Sequence, residues 1–72
     1  MPVVAVLGER VRIEGYGLAG ALVLPAEDAA AVTAAWDALP GEAAIVILTA
    51  RAAAALGPRR TARPGVLTAV LP

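Results

Sequence analysis

Lysine, histidine, cysteine, serine, asparagine, glutamine and phenylalanine are all missing from this chain of 72 residues. Without Ser, Cys or Lys the usual side-chain nucleophiles are gone, which leaves Thr, one Tyr and carboxylates. Without His the commonest general base and metal ligand is gone. Without Cys there is no disulfide, thiolate zinc site or iron–sulfur cluster. The remaining alphabet predicts no catalytic residue, no cofactor and no metal. Aromatic residues are almost absent too, with only Tyr16 and Trp36, so a nucleic-acid surface that stacks bases is not expected.

What is there is apolar: 60% of residues, in a chain long enough for one small domain, 1–72. Six Arg balance six acids. The balance is uneven along the chain. Residues 1–42 hold Glu9, Glu14, Glu27, Asp28, Asp37 and Glu42 with two Arg, a sum of −4, and residues 43–72 hold four Arg and no acid, +4. Arg51, Arg59, Arg60 and Arg63 are read either as a solvated loop or as a docking patch for an acidic partner. The longest uncharged stretch, 15–26, has twelve residues with three Gly and a Pro. A membrane-spanning helix needs about 20 apolar residues. The N-terminus shows no basic signal-peptide region. The expectation is a cytoplasmic protein with no membrane span.

Short apolar runs alternate with helical patterns. Val3–Leu7, Ala21–Leu24, Ala44–Leu48 and Val66–Leu71 read as strands. Residues 26–39 form a helix with Ala29, Val32, Trp36 and Leu39 on its apolar face. Thr49 caps another, Ala50–Leu56, which Gly57-Pro58 stops. Residues 10–19 form the first helix, with Val11, Leu18 and Ala19 on its apolar stripe. The order β-α-β-α-β-α-β implies an α/β fold, a four-stranded parallel sheet in order 2-1-3-4 of Rossmann-like type. The handedness rule puts the first helix on one face and the other two on the opposite face. Strands three and four are then bare on the first-helix side. Val66, Thr68 and Val70 are expected to face that open side, because Thr68 tolerates exposure best. Monomers rarely leave a large apolar patch in water, so a partner or a second copy is expected to cover it.

Gly15-Tyr16-Gly17-Leu18-Ala19-Gly20 matches G-x-G-x-x-G. The dinucleotide fingerprint must follow a strand and open a helix. Here the first strand ends at Gly8, seven residues earlier, so the glycines read as close packing and helix capping, with Gly20 left-handed at the helix end. Glu9 and Glu14 are a candidate Mg²⁺ pair at the strand ends, against a solvated surface as the plainer reading.

Val4-Ala5-Val6-Leu7-Gly8-Glu9 followed by Gly15-Tyr16-Gly17-Leu18-Ala19-Gly20 resembles the start of the F subunit of V-type (archaeal and bacterial V/A-type) rotary ATPases. In that family a strand ends in Gly-Asp or Gly-Glu, and Gly-Phe-x-Leu-Ala-Gly begins seven residues after that Gly, as Gly15 does after Gly8. The strand running into Thr49 and the closing Pro64-Gly65-Val66 to Leu71-Pro72 also look like the family's. Tyr16 departs from its Phe, and family members continue with a C-terminal helix where the sequence given ends at Pro72. The resemblance implies structural roles for Gly8, Gly15, Leu18, Gly20 and Thr49. It implies a non-catalytic rotor component of the central stalk, peripheral to the membrane in a soluble V1-like sector. Such a component docks on the coiled-coil D subunit, turns against the catalytic A and B subunits, and couples ATP chemistry to ion transport. The alternative is a free-standing α/β interaction or regulatory module with the same fold.

Overall fold

The structure is a computed structural model that describes residues 3–72. Strand β1 (Val3–Gly8) leads into the short helix α1 (Arg10–Ile13), which tightens at once into a 3₁₀ segment (Glu14–Ala19). Then follow β2 (Leu22–Pro25), α2 (Ala29–Asp37), β3 (Ala43–Leu48), α3 (Ala50–Leu56), a 3₁₀ turn (Gly57–Thr61) and β4 (Leu67–Val70). The four strands form one sheet in order β2-β1-β3-β4, and every pair is parallel. This is the α/β architecture and strand order expected from the alternation of elements.

In a parallel ladder, paired residues share a face. Ala5 and Leu7 pair with Val46 and Leu48, and these four are fully buried against Val32, Trp36 and Leu39 of the α2 region and Ala52, Ala53 and Leu56 of α3. That is the main core. Successive strand residues alternate sides, so Val4, Val6, Ile45 and Ile47 point the other way. There α1 and its 3₁₀ segment lie against β1 and β2. Ile13 and Val6 are fully buried on that side.

Side chains locate the ends of the elements. Asp28 accepts a bond from the Ala31 amide (2.7 Å) and so starts α2 three residues later than the expected 26. Pro25 ends β2. Thr49 Oγ1 accepts from the Ala52 amide (3.2 Å) and caps α3, as its position before an alanine run predicts.

The first helix differs from expectation. It has a single α-helical turn, because Gly15 and Gly17 give little support to α-helical propagation and the chain continues in the narrower 3₁₀ spiral. The change of pitch moves the apolar stripe. Ile13 is buried, whereas Val11 is 83% and Leu18 96% exposed, so Leu18 is not a packing residue. The side chain of Ala19 lies outside the described residues. Gly15 has nothing within 4 Å of where a Cβ would sit, so it serves no close approach.

Gly20 does have the expected role. It closes the 3₁₀ segment at φ 89°, ψ 6°, and its amide bonds back to Gly17 (3.1 Å). No atom lies within 4 Å of its missing Cβ, so a substitution here is strained through the backbone alone. We expect Gly20→Val to cost about 1–2 kcal/mol. At about 4–8 °C per kcal/mol for a domain this small, that is a clear drop in Tm. Gly20→Asn should lose distinctly less, because Asn tolerates the left-handed region. Thermal melts followed by circular dichroism check both, and equal losses for Asn and Val would contradict the conformational account.

The register of β4 corrects another expectation. Thr68 pairs with Val46 and Val70 with Leu48, which puts both on the α3 side, and Val66 packs against the main core. The residues on the open side are Leu67, paired with Ile45, and Ala69, paired with Ile47. Thr68 is tolerated on the inner side because β4 is an edge strand, where it stays half-buried.

Candidate functional sites

Two surfaces could carry function. The first is a cleft of about 180 Å³ at the carboxyl ends of the strands, between the starts of α2 and α3. In open α/β sheets ligands bind outside these ends, where neighbouring crossovers diverge, here between β1 and β3. Glu9 follows β1, Glu27 and Asp28 precede α2, and Arg51 sits in the first turn of α3; all four line the cleft. The basic end of the sequence thus meets the acidic end.

The acids are already engaged. Glu9 accepts a short hydrogen bond from the Thr49 hydroxyl. Glu27 accepts from the Arg10 amide (2.9 Å), and Asp28 caps α2. Thr49 and Glu9 have the layout of a nucleophile beside a base. Yet Thr49 is fully buried, and its oxygen also accepts the cap bond from Ala52. Glu9 is held below its ordinary carboxyl value of 4.5, first by the Thr49 hydroxyl, then by a backbone hydrogen bond, with Arg51 and Arg12 adding attraction. A carboxylate depressed in this way is a weak base near neutral pH. The pair works as a latch that ties the end of β1 to the cap of α3. Glu14, weighed with Glu9 as a Mg²⁺ pair, opens the 3₁₀ segment and does not line the cleft. Among the described residues no group of three or more acids is arranged to hold a metal ion.

The latch predicts a pH dependence. A carboxyl whose folded pKa lies below its unfolded value stabilises the fold above the unfolded value, and that contribution disappears as pH falls through the folded one. Wild type should therefore be more stable than Glu9→Gln at neutral pH, and the gap should narrow at acid pH, below the unfolded value. Urea unfolding midpoints at neutral and acid pH measure the gap, and a gap independent of pH would contradict the latch.

The glycine motif 15–20 lies in the 3₁₀ segment and its cap, and runs into β2. It does not follow a strand or open a helix, so it lacks the setting that a pyrophosphate needs.

Two members of the Arg patch are engaged within the chain. Arg59 pairs with Asp37 at 2.8 Å, with both side chains about half exposed, which makes it a weak contact. Arg63 donates to the carbonyls of Trp36 and, at 3.2 Å, Leu39, and its guanidinium lies 5.8 Å from the Trp36 ring centroid. It adds to the Leu39 amide (3.3 Å) as a donor to the Trp36 carbonyl at the end of α2, where a cation suits the helix dipole. Arg60 is half-buried in the 3₁₀ turn. Sequence reading had no signal for the role of Arg63, because a flexible side chain reaches carbonyls more than twenty positions away.

The second surface is the half of the sheet beside α1. Val4 is 38%, Ile45 40% and Leu67 72% exposed there, with Ala69 exposed and Ile47 half-buried between them. Five apolar side chains from three neighbouring strands make one uncharged face. The chain crosses the rim of this face at its carboxyl end, where Arg12 of α1 donates to the Pro72 carbonyl (2.9 Å). No helix among the described residues is long and apolar enough to cross a membrane. Comparison with protein-family models, with curated proteins and with solved structures returns no match.

Proposed function

We propose that this chain is a non-catalytic docking subunit that presents the bare half of its sheet to a partner. The observation that carries the reading is the face formed by Val4, Ile45, Ile47, Leu67 and Ala69. A contiguous apolar face of this kind marks an interaction surface, and the cleft offers buried caps and latches in place of free reactive groups. The partner proposed is the coiled-coil D subunit in the stalk of a V/A-type rotary ATPase, in keeping with the Gly8 to Gly20 spacing that resembles the F subunit of that family. The chain then rides on the stalk within a peripheral, cytoplasmic sector and takes part in coupling ATP chemistry to ion transport.

One helix of such a coiled coil suits the vacancy. Two strands are bare, about 4.8 Å apart, and a helix with its side chains is about 10 Å across. Co-expression with the coiled-coil D subunit of a V/A-type rotary ATPase tests the reading. The expected result is co-elution at one-to-one stoichiometry that Leu67→Glu abolishes while leaving the circular dichroism spectrum unchanged. Elution of the folded wild-type chain apart from the coiled coil would overturn it.

A further inference from the structure

The layer of α1 and its 3₁₀ segment leaves half of the sheet bare, and it also exposes apolar side chains of its own. Val11 lies two residues from buried Ile13, about 200° round the helix, and so points away from the sheet. Leu18 is almost wholly exposed. The half-layer is about 18 Å long, from four α-helical and six 3₁₀ residues. That spans the length of a four- to six-residue strand. It covers β1 and β2 on its inner side and has no cover on its outer side among the described residues.

These two deficits complement each other. We propose that, away from any partner, two copies of this chain associate through this face, each inserting its α1–3₁₀ layer between its own β1–β2 and the other copy's β3–β4. The inference rests on the same bare face as the docking reading, and makes the second copy a cover that the stalk coiled coil displaces. Only one two-fold axis permits the arrangement, the one parallel to the strands. It turns each bare half over the other copy's helical half. A two-fold across the strands would instead stack the two helical layers on each other.

Area favours this over a sheet face meeting a flat surface. A stable interface removes about 800 Å² from each partner, roughly a fifth of the 4266 Å² that this chain exposes. Bare half-face and outer helical surface are each used twice under this symmetry, so the interface exceeds what the bare half-face offers alone. The charged residues of the layer, Arg10, Arg12 and Glu14, sit in its first half, so the stretch 15–20 that reaches the amino end of the sheet is uncharged.

The axis also fixes the neighbours. Leu67 lies level with Ile45 and Val4, one step from the start of β2 that Leu18 precedes. Leu18 of one copy therefore meets Leu67 of the other, whereas Val11 lies at the opposite end of the layer. Within one copy, residues 18 and 67 belong to opposite edges of the sheet, about three strand spacings or 14 Å apart. A disulfide needs Cα atoms within about 7 Å. The chain has no cysteine of its own.

Purified Leu18→Cys/Leu67→Cys protein, mildly oxidised, should give a covalent dimer, and Val11→Cys/Leu67→Cys should not. Sedimentation of the unmodified chain at high micromolar concentration should show a dimer whose dissociation constant rises at least about tenfold in Leu18→Glu. Leu18→Glu leaves the sheet face intact, so its binding to the stalk coiled coil reports separately on the docking reading. A wild-type chain that sediments as a monomer, or a dimer that resists Leu18→Glu and cross-links equally through position 11, would overturn the proposal whether or not the coiled coil binds.

Discussion

Trp36→Ala is expected to remove about 3–5 kcal/mol of stability. Domains carry about 0.05–0.15 kcal/mol per residue, or roughly 4–11 kcal/mol for a chain of this length. The variant should melt at least about 12 °C lower or be unfolded at room temperature. Trp36 is 3% exposed and lies at the centre of the cluster where α2 meets Leu7, Val46 and Leu56. It is the only aromatic side chain in a core otherwise built of aliphatic residues and alanines, which relax only partially into the space it would leave. Its carbonyl and ring also hold Arg63. Trp36→Phe keeps most of the volume and should lose far less. Melts by circular dichroism decide the matter, since the substitution removes the fluorophore. A Trp36→Ala protein within a few degrees of wild type would mean that the core is not organised round α2.

Gly8→Ala should be nearly as harmful, although it adds one methyl group. The added Cβ would run into the Thr49 side chain, 2.8 Å from the Thr49 Cβ itself. Thr49 has no freedom to yield. Its amide bonds to the Leu7 carbonyl (3.1 Å), its hydroxyl is given to Glu9, and its oxygen holds the Ala52 amide. Overpacking costs about 1–3 kcal/mol and a lost helix cap about 1 kcal/mol. A Tm lower by at least about 8 °C follows. Thr49→Gly removes the obstructing side chain, so Gly8→Ala should do less damage in that background than in wild type. Additive losses in this double-mutant cycle would show that the two residues are not in conflict.

The parts of the fold that follow from chain chemistry are legible in the residues. Val3 to Leu7 is apolar at every position, and the strand is central, buried from Ala5 onward while Val4 opens onto the bare half. Thr49 before an alanine run and Gly57-Pro58 after it mark α3 to the residue. The start of α2 is less clear, because Pro25 and Asp28 both signal a beginning and the side-chain cap of Asp28 wins. The first helix misleads for a different reason. A stripe drawn at 3.6 residues per turn fails once the glycines turn the chain into a 3₁₀ spiral, so Val11 and Leu18 look buried and are not. The parity of β4 is illegible because Val66, Thr68 and Val70 are about as apolar as Leu67 and Ala69, and an edge strand is half-covered on its inner face. The handedness of the crossovers nevertheless shows which half of the sheet stays bare. The Glu9–Thr49 latch and the Arg63 cap depend on contacts 40 and 27 positions apart, which no local pattern encodes.

The bare half of the sheet is the centre of the account, and amide chemical shifts test it residue by residue. Isotopically labelled Leu18→Glu chain, chosen so that the second copy does not compete, would be titrated with the stalk coiled coil. The predicted result is shifts concentrated at Val4, Ile45, Ile47, Leu67 and Ala69, with the outer surfaces of α2 and α3 unchanged. Shifts confined to Glu9, Glu27 and Arg51 around the cleft, or none at saturating coiled coil, would contradict it.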